Sequence, residues 1–350
     1  MPKTFDTLAA LLDHGYDAVI DVRSPAEFAE DHLPGAINLP VLSDTERAKV
    51  GTIYKQVSAF DARKVGAALV SRNAADHIAG PLSGFDGGWR PLVYCWRGGQ
   101  RSGSFTSILQ QIGWRADVIA GGYQTYRRLV HGAMYNVPLP HRMVLLDGNT
   151  GTAKTDILAR LAAFDVQIVD LEGLAGHRGS LLGDIPEGQP SQKQFESLLA
   201  SAFARLDPHK ITVVEAESSK IGKRVIPPTV WAQMIAAPRI QIDASLAARA
   251  GWLVAAYAEV ISDRQRLRGQ LDFLRRHRGH ETVNRWVALL ESGDHIGLAT
   301  ALMADHYDPA YAKSRANHRH DVIATLHAET LDREGRAAMT EQIKQILDRL

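Results

Sequence analysis

Short apolar runs recur along the chain, each ending in charge or glycine, and most are followed by residues with helical spacing. Residues 18–23 are the first such run, an apolar strand closed by Asp21 and Arg23, with a short helix over 25–30. Residues 92–95 and 116–119 read as the second and third strands, the third closed by Gly121-Gly122. Between the first two strands, residues 44–78 read as one long helical stretch. Pro138-Leu139-Pro140 then breaks the pattern. Strand, loop and helix restart over 142–147, 148–153 and 154–163, with further strands at 167–171, 211–215 and 239–242. From Ser245 onward the pattern is helical apart from a strand-like run at 322–326. Such alternation predicts parallel sheets covered by helices. The expected fold class is α/β: a parallel-sheet domain over 1–137, a second α/β domain over 138–245, and a mainly helical part over 246–350.

Composition narrows the classes. With 350 residues, 45% of them hydrophobic, the chain can fill two ordinary domains. A net charge of +1 means that any nucleic-acid contact must come from a local patch. One cysteine rules out an internal disulfide and fits a reducing cytoplasm. The first residues lack the apolar core of a signal peptide, and no long uncharged apolar run suits a membrane span. A cytoplasmic protein with no membrane partner is expected.

That cysteine opens Cys95-Trp96-Arg97-Gly98-Gly99-Gln100-Arg101-Ser102. It stands at a strand end, before a Gly-rich turn into a helix, where backbone N–H groups and the helix dipole favour negative charge. Arg97 and Arg101 add cations that could grip an oxyanion. Upstream, Asp21, Arg23 and Glu27 are placed to pin a strand end to the next helix, and His32 and Gly35 suit a tight turn.

A second loop, Gly148-Asn149-Thr150-Gly151-Thr152-Ala153-Lys154-Thr155, has P-loop spacing between a strand and a helix. Its N–H groups would cradle a diphosphate and Lys154 would neutralise it. Thr155 would meet Mg²⁺ if a metal is present, with Asp170 as the first metal-side carboxylate and Glu215 the second. Ala153 stands where glycine is usual, the smallest intrusion available. His177 and Arg178, on a Gly-rich loop near the same sheet edge, are candidate contacts to an anionic substrate. Arg264, Arg266, Arg268, Arg275, Arg276 and Arg278 form the densest basic run, which could track RNA phosphates. Trp252 and Tyr257, on a predicted helix, could stack a base or pack in the core.

Asp-x-Arg-x-x-x-Glu-Phe at 21–28, His-Leu-x-Gly-Ala-Ile-Asn-Leu-Pro at 32–40, the Cys95 loop and Gly121-Gly122-Tyr123 together resemble a rhodanese domain. That resemblance implies that Cys95 carries a chalcogen. Five residues separate Cys95 from Arg101, one more than is usual in rhodanese loops, so a phosphatase-type loop stays open, although Tyr94 replaces the customary preceding His. The roomier loop suits a phosphate-bearing or selenium-bearing donor. A rhodanese-like domain followed by a P-loop NTPase-like domain resembles the tRNA 2-selenouridine synthase family. The resemblance implies transfer of selenium from selenophosphate to wobble 2-thiouridine of tRNA, by way of a geranyl group taken from geranyl diphosphate. It implies catalysis by Cys95, Arg97, Gly98, Gly99 and Arg101, diphosphate binding by residues 148–155, and no tightly bound cofactor. A selenophosphate-producing enzyme is a further candidate partner. Other readings are a persulfide transferase or cysteine phosphatase fused to an ATP-hydrolysing domain, and a non-catalytic adaptor, which would need neither Cys95, Arg101 nor Lys154.

Overall fold

The computed structural model describes residues 2–180, 182–316 and 321–350. They divide into two compact units, one of residues up to Val137 with Pro190–Arg205, the other of Pro138–Gln189 with Leu206–Leu350.

The first unit is a wholly parallel sheet of β1 (Pro2–Lys3), β2 (Ala18–Asp21), β3 (Ile37–Asn38), β4 (Pro91–Tyr94) and β5 (Asp117–Ile119), in the order β1-β5-β4-β2-β3. Asp21 and Tyr94 are register partners, so Cys95 leaves the sheet level with the end of its neighbour strand. Ile20, Val93, Phe105, Leu109 and Trp89 fill the core beneath. The stretch expected as one helix is two, Asp44–Gln56 and Ala59–Ala79. The break has a local cause: the Ser58 side chain accepts from the N–H groups of Phe60 and Asp61, capping a new helix.

Asp21 and Arg23 pair with each other, 2.6 Å apart and almost fully buried, and Arg23 lies 4.1 Å over the Tyr123 ring. Glu27 pairs elsewhere, with Arg101. Helix Gln192–Ala204 belongs to this unit. Its Phe195, Leu199 and Phe203 are buried. Ser197 Oγ and Tyr123 OH donate to Asp31 Oδ2 over 3.0 and 2.7 Å, and Glu196 accepts from Arg127 and from Tyr135 OH. Burial pushes the Asp31 carboxyl up despite these bonds.

The second unit is also a parallel sheet: β6 (Arg142–Gly148), β7 (Gln167–Val169), β8 (Ile211–Glu215), β11 (Arg239–Ala244) and β12 (Val322–Ala328), ordered β12-β11-β6-β8-β7, with a separate hairpin of β9 (Lys220–Ile221) and β10 (Arg224–Val225). The expected boundaries at 138–245 and 246–350 therefore need correction. β12 extends the sheet, and helix Arg333–Leu347 closes its core, with Met339 and Ile343 packed among Ile157, Leu161 and Val144. Only the helices between contribute a separate helical core, around Leu267, Leu271, Trp286 and Leu290. Among the described residues no helix is long and apolar enough to cross a membrane.

Candidate functional site

Cys95 follows directly on β4 and is 3% exposed. The loop after it folds onto the segment after β5: Tyr123 N donates to Cys95 O over 2.8 Å and Gln124 N to Trp96 O over 3.1 Å. Gly98 has φ +63°, and a Cβ there would stand 2.6 Å from Ile119 O. A Cβ on Gly122 would strike the Cys95 carbonyl. Both glycines are required by close approach, which explains why Gly121-Gly122-Tyr123 accompanies the cysteine loop.

Ser102, which sequence reasoning did not single out, is fully buried and donates to Cys95 Sγ over 3.2 Å. Its place one helical turn beyond Gly98-Gly99 was the available signal. That hydrogen bond fixes the position of the sulfur at the head of the loop. Ser102→Ala should slow alkylation of Cys95 by iodoacetamide about two- to tenfold, the worth of one ordinary hydrogen bond. An unchanged rate would leave Ser102 a packing residue.

Arg97 and Arg101 separate in the structure. Arg101 Nη1 lies 2.7 Å from Glu27 Oε2, with both side chains largely buried. Burial raises the Glu27 carboxyl, but the Arg101 bond and charge outweigh it and hold Glu27 below its ordinary value. Arg97 is exposed at the mouth of the cleft in front of Cys95, as is Gly99.

In the second unit, residues 148–153 turn from β6 into helix Lys154–Ala162. Ala153 caps that helix at φ +60°, a left-handed conformation costing an L-residue about 1–2 kcal/mol. The alanine thus intrudes through its backbone rather than its bulk. Lys154 Nζ donates to Gly148 O over 2.8 Å, and Thr155 Oγ1 to Glu172 Oε2 over 2.9 Å. Arg249, itself buried, grips the loop: its Nε donates to Thr150 O over 2.8 Å, and its other nitrogens fork onto Asp308.

Asp170 does not take the expected place. Its Oδ1 accepts from Gly173 N over 2.7 Å, capping helix Leu171–Ala175. The carboxylate beside Thr155 is Glu172 instead, and fully buried Glu215 stands behind it, accepting from Glu172 N over 3.3 Å. Glu215 Oε1 has no partner among the described residues. There, too, no group of three metal-ligating side chains is assembled. His177 is also displaced from its expected role. It is buried, 3.5 Å from Asp184, and burial pushes its imidazole down, so it is neutral at pH 7. Arg178 does face the P-loop cavity, lying 4.9 Å over the Tyr257 ring and pairing with Glu259.

Burial, then repulsion by Glu172, pushes the partly buried Glu217 up to about 8, against the opposing pull of Lys154. Glu172 and Glu215 are raised for the same first reason. A raised carboxyl is protonated below its shifted value and charged above it, so negative charge is gained beside Lys154 and Glu172 of the cavity wall as pH rises through about 8. Affinity for inorganic diphosphate should therefore fall above that pH, and Glu217→Gln should flatten the fall. A calorimetric pH series checks both expectations.

The P-loop cavity, about 280 Å³, is walled by Lys154, Thr155, Glu172, Trp252, Tyr257 and Tyr311. A second cavity shares Thr150, Ser180, Leu253, Tyr257 and Tyr307 with it. The rest of that second cavity is Leu182, Val254, Val260, Ile261, Leu267, Leu298, Ala299, Leu302 and Met303, with His295. Trp252 and Tyr257 are thus cavity walls, Trp252 carrying Arg336 4.2 Å over its ring.

The basic run divides. Arg268 pairs with Glu291, Arg275 with Asp272 at 2.8 Å, and Arg278 donates to His306 Nδ1 over 2.9 Å. Arg266 reaches Asp184 O over 3.3 Å, and Arg264 and Arg276 are exposed.

A parallel sheet with a loop cysteine, joined to one with a P-loop, is the arrangement of a rhodanese-like domain fused to a phosphate-binding domain. Residues 4–129 match the rhodanese-like domain family, and residues 141–342 match the family described as the tRNA 2-selenouridine synthase AAA domain. The chain is 31% identical to the tRNA 2-selenouridine synthase of Aeromonas salmonicida over 92% of this chain and 93% of that protein. It is 33% identical to that of Hahella chejuensis over 84% of each, and 31% identical to that of Cupriavidus pinatubonensis over 93% and 94%. The chain belongs to the tRNA 2-selenouridine synthase family and is a tRNA-modifying enzyme.

Proposed function

We propose that the enzyme replaces the sulfur of wobble 2-thiouridine with selenium from selenophosphate, by way of S-geranyl-2-thiouridine made from geranyl diphosphate. The observation that carries this reading is the apolar cavity adjoining the P-loop cavity. A nucleotide would place a polar ribose beyond its phosphates. Walls of leucine, valine, isoleucine and methionine match an isoprenoid chain in polarity, each buried CH₂ contributing about 0.8 kcal/mol, and the open volume of about 60 Å³ takes part of such a chain.

In this mechanism the P-loop N–H groups and Lys154 bind the diphosphate of the prenyl donor. The thiocarbonyl sulfur attacks the geranyl carbon, and the carbon–oxygen pair leaves with diphosphate. Mg²⁺ fits the oxygen donors of Thr155 and Glu172 better than Asp170, and would neutralise the departing charge. The selenium of selenophosphate, held in front of Cys95, then attacks C2 and the S-geranyl group departs as its thiolate; water cleaves the remaining selenium–phosphorus bond, leaving 2-selenouridine and phosphate. Ser102 and the loop backbone orient Cys95, and Arg97 is the cation available to a phosphate-bearing donor. Arg264, Arg266 and Arg276 are candidate tRNA phosphate contacts, whereas Arg268, Arg275 and Arg278 are engaged by Glu291, Asp272 and His306.

Nucleoside analysis of tRNA from cells with and without the protein tests this reading. The expected result is 2-selenouridine only where the protein is present. Accumulation of 2-thiouridine alone in both would sink it.

A further inference from the structure

The cleft in front of Cys95 has a wall that the chemistry above leaves unused. Helices Asp44–Gln56 and Ala59–Ala79, inserted between β3 and β4, form one side of a space of about 710 Å³ with Cys95 among its lining residues. That size is within the range of small-ligand pockets and exceeds what one phosphate needs. Arg47, Lys55 and Arg63 line it from the helices, and Arg97 and Arg101 from the cysteine loop. No carboxylate lines it. Arg47 and Arg101 share Glu27, whereas Lys55, Arg63 and Arg97 make no ion pair among the described residues. Five cations against the single carboxylate of Glu27 is a steep local excess in a chain of net charge +1.

The same wall exposes aromatic surface. Helix Asp44–Gln56 buries no residue fully and touches the core cluster through Val50, so core packing does not explain its exposed Tyr54. Tyr54, on the cleft, is 60% exposed, and Phe60, at the start of the second helix, is 66% exposed. Gly51, Gly66 and Ala67 keep the wall between the cations low. Cations spaced along a groove with an aromatic ring among them are what a single-stranded nucleic acid requires: charge for the backbone and a flat face for a base.

We infer that this helical pair is the docking wall for the anticodon loop of the tRNA. Arg47, Lys55 and Arg63 grip its phosphates and Tyr54 stacks an unpaired base, leaving the neighbouring base to reach Cys95. This rests on the reading of Cys95 as the selenium-presenting group and adds the surface that delivers the base to it. A base paired inside a helix could not reach a 3%-exposed sulfur; a splayed loop base can.

The test is binding of 2-thiouridine-containing tRNA to the full-length protein at two salt concentrations. Lys55→Glu/Arg63→Glu should weaken binding at least about tenfold and lower the log–log salt slope by about 1.4–1.8, two phosphate contacts' worth. Tyr54→Ala should weaken binding about five- to a hundredfold with the slope unchanged, since it removes stacking and no charge. Unchanged affinity and slope in the double variant would overturn the inference. So would a double variant that keeps tRNA affinity while inorganic phosphate no longer protects Cys95 from alkylation, because the cleft would then serve a small anion only. Geranyl diphosphate binding, measured in parallel, should be untouched in both variants. Its absence from the wild type would count against the proposed prenyl step and leave the tRNA result readable.

Discussion

Cys95→Ser should yield tRNA carrying S-geranyl-2-thiouridine and no 2-selenouridine. The expected loss of selenation is complete within detection, because Cys95 is the only thiol in the chain. Serine is nearly isosteric, and the loop is held by the Tyr123 and Gln124 N–H groups and by glycines at close approach, so the fold should persist. Geranyl transfer should be largely intact, since the groups assigned to it lie on the P-loop and its adjoining cavity. Mass spectrometry of the digested nucleosides reads both products. Selenation by the serine variant at a comparable rate would remove Cys95 from the chemistry.

The second large effect concerns the prenyl donor, whose two ends can be tested separately. Lys154→Ala removes a charge-assisted contact to diphosphate, worth about 1.5–3 kcal/mol, so affinity for geranyl diphosphate should fall by about one to two orders of magnitude. Selenation of 2-thiouridine tRNA should fail with it and recover on tRNA supplied already geranylated. Ala299→Trp instead fills the apolar cavity. It should abolish geranyl diphosphate binding while inorganic diphosphate still binds, an outcome that a nucleotide site would not produce.

Much of this arrangement was legible in the sequence because both loops sit where strand period changes to helix period. The change of period marks the P-loop and the cysteine loop together with the strand before and the helix after each. Two-residue edge strands such as β1 and β3 carry no period to read. Helix Gln192–Ala204 has an ordinary amphipathic pattern; only the partners of Asp31 and Arg127 reveal that it packs in the first unit. Charge partners were the least legible feature. Arg101 is taken by Glu27, Asp170 caps a helix, and Glu172, two residues later, meets Thr155. The apolar cavity draws on residues from Thr150 to Tyr307, so no local pattern announces it. The stretch over 44–78 reads as helix, but the acid-free lining of its cleft depends on the pairing of two helices beside Cys95, which no local pattern shows.

Calorimetric titration of the wild-type protein with geranyl diphosphate and, separately, with ATP tests the central claim most directly. The prediction is saturable geranyl diphosphate binding that weakens in Lys154→Ala and disappears in Ala299→Trp, with ATP binding weaker than geranyl diphosphate. Tight ATP binding with no detectable geranyl diphosphate binding would contradict it and make the second unit a nucleotide-hydrolysing domain.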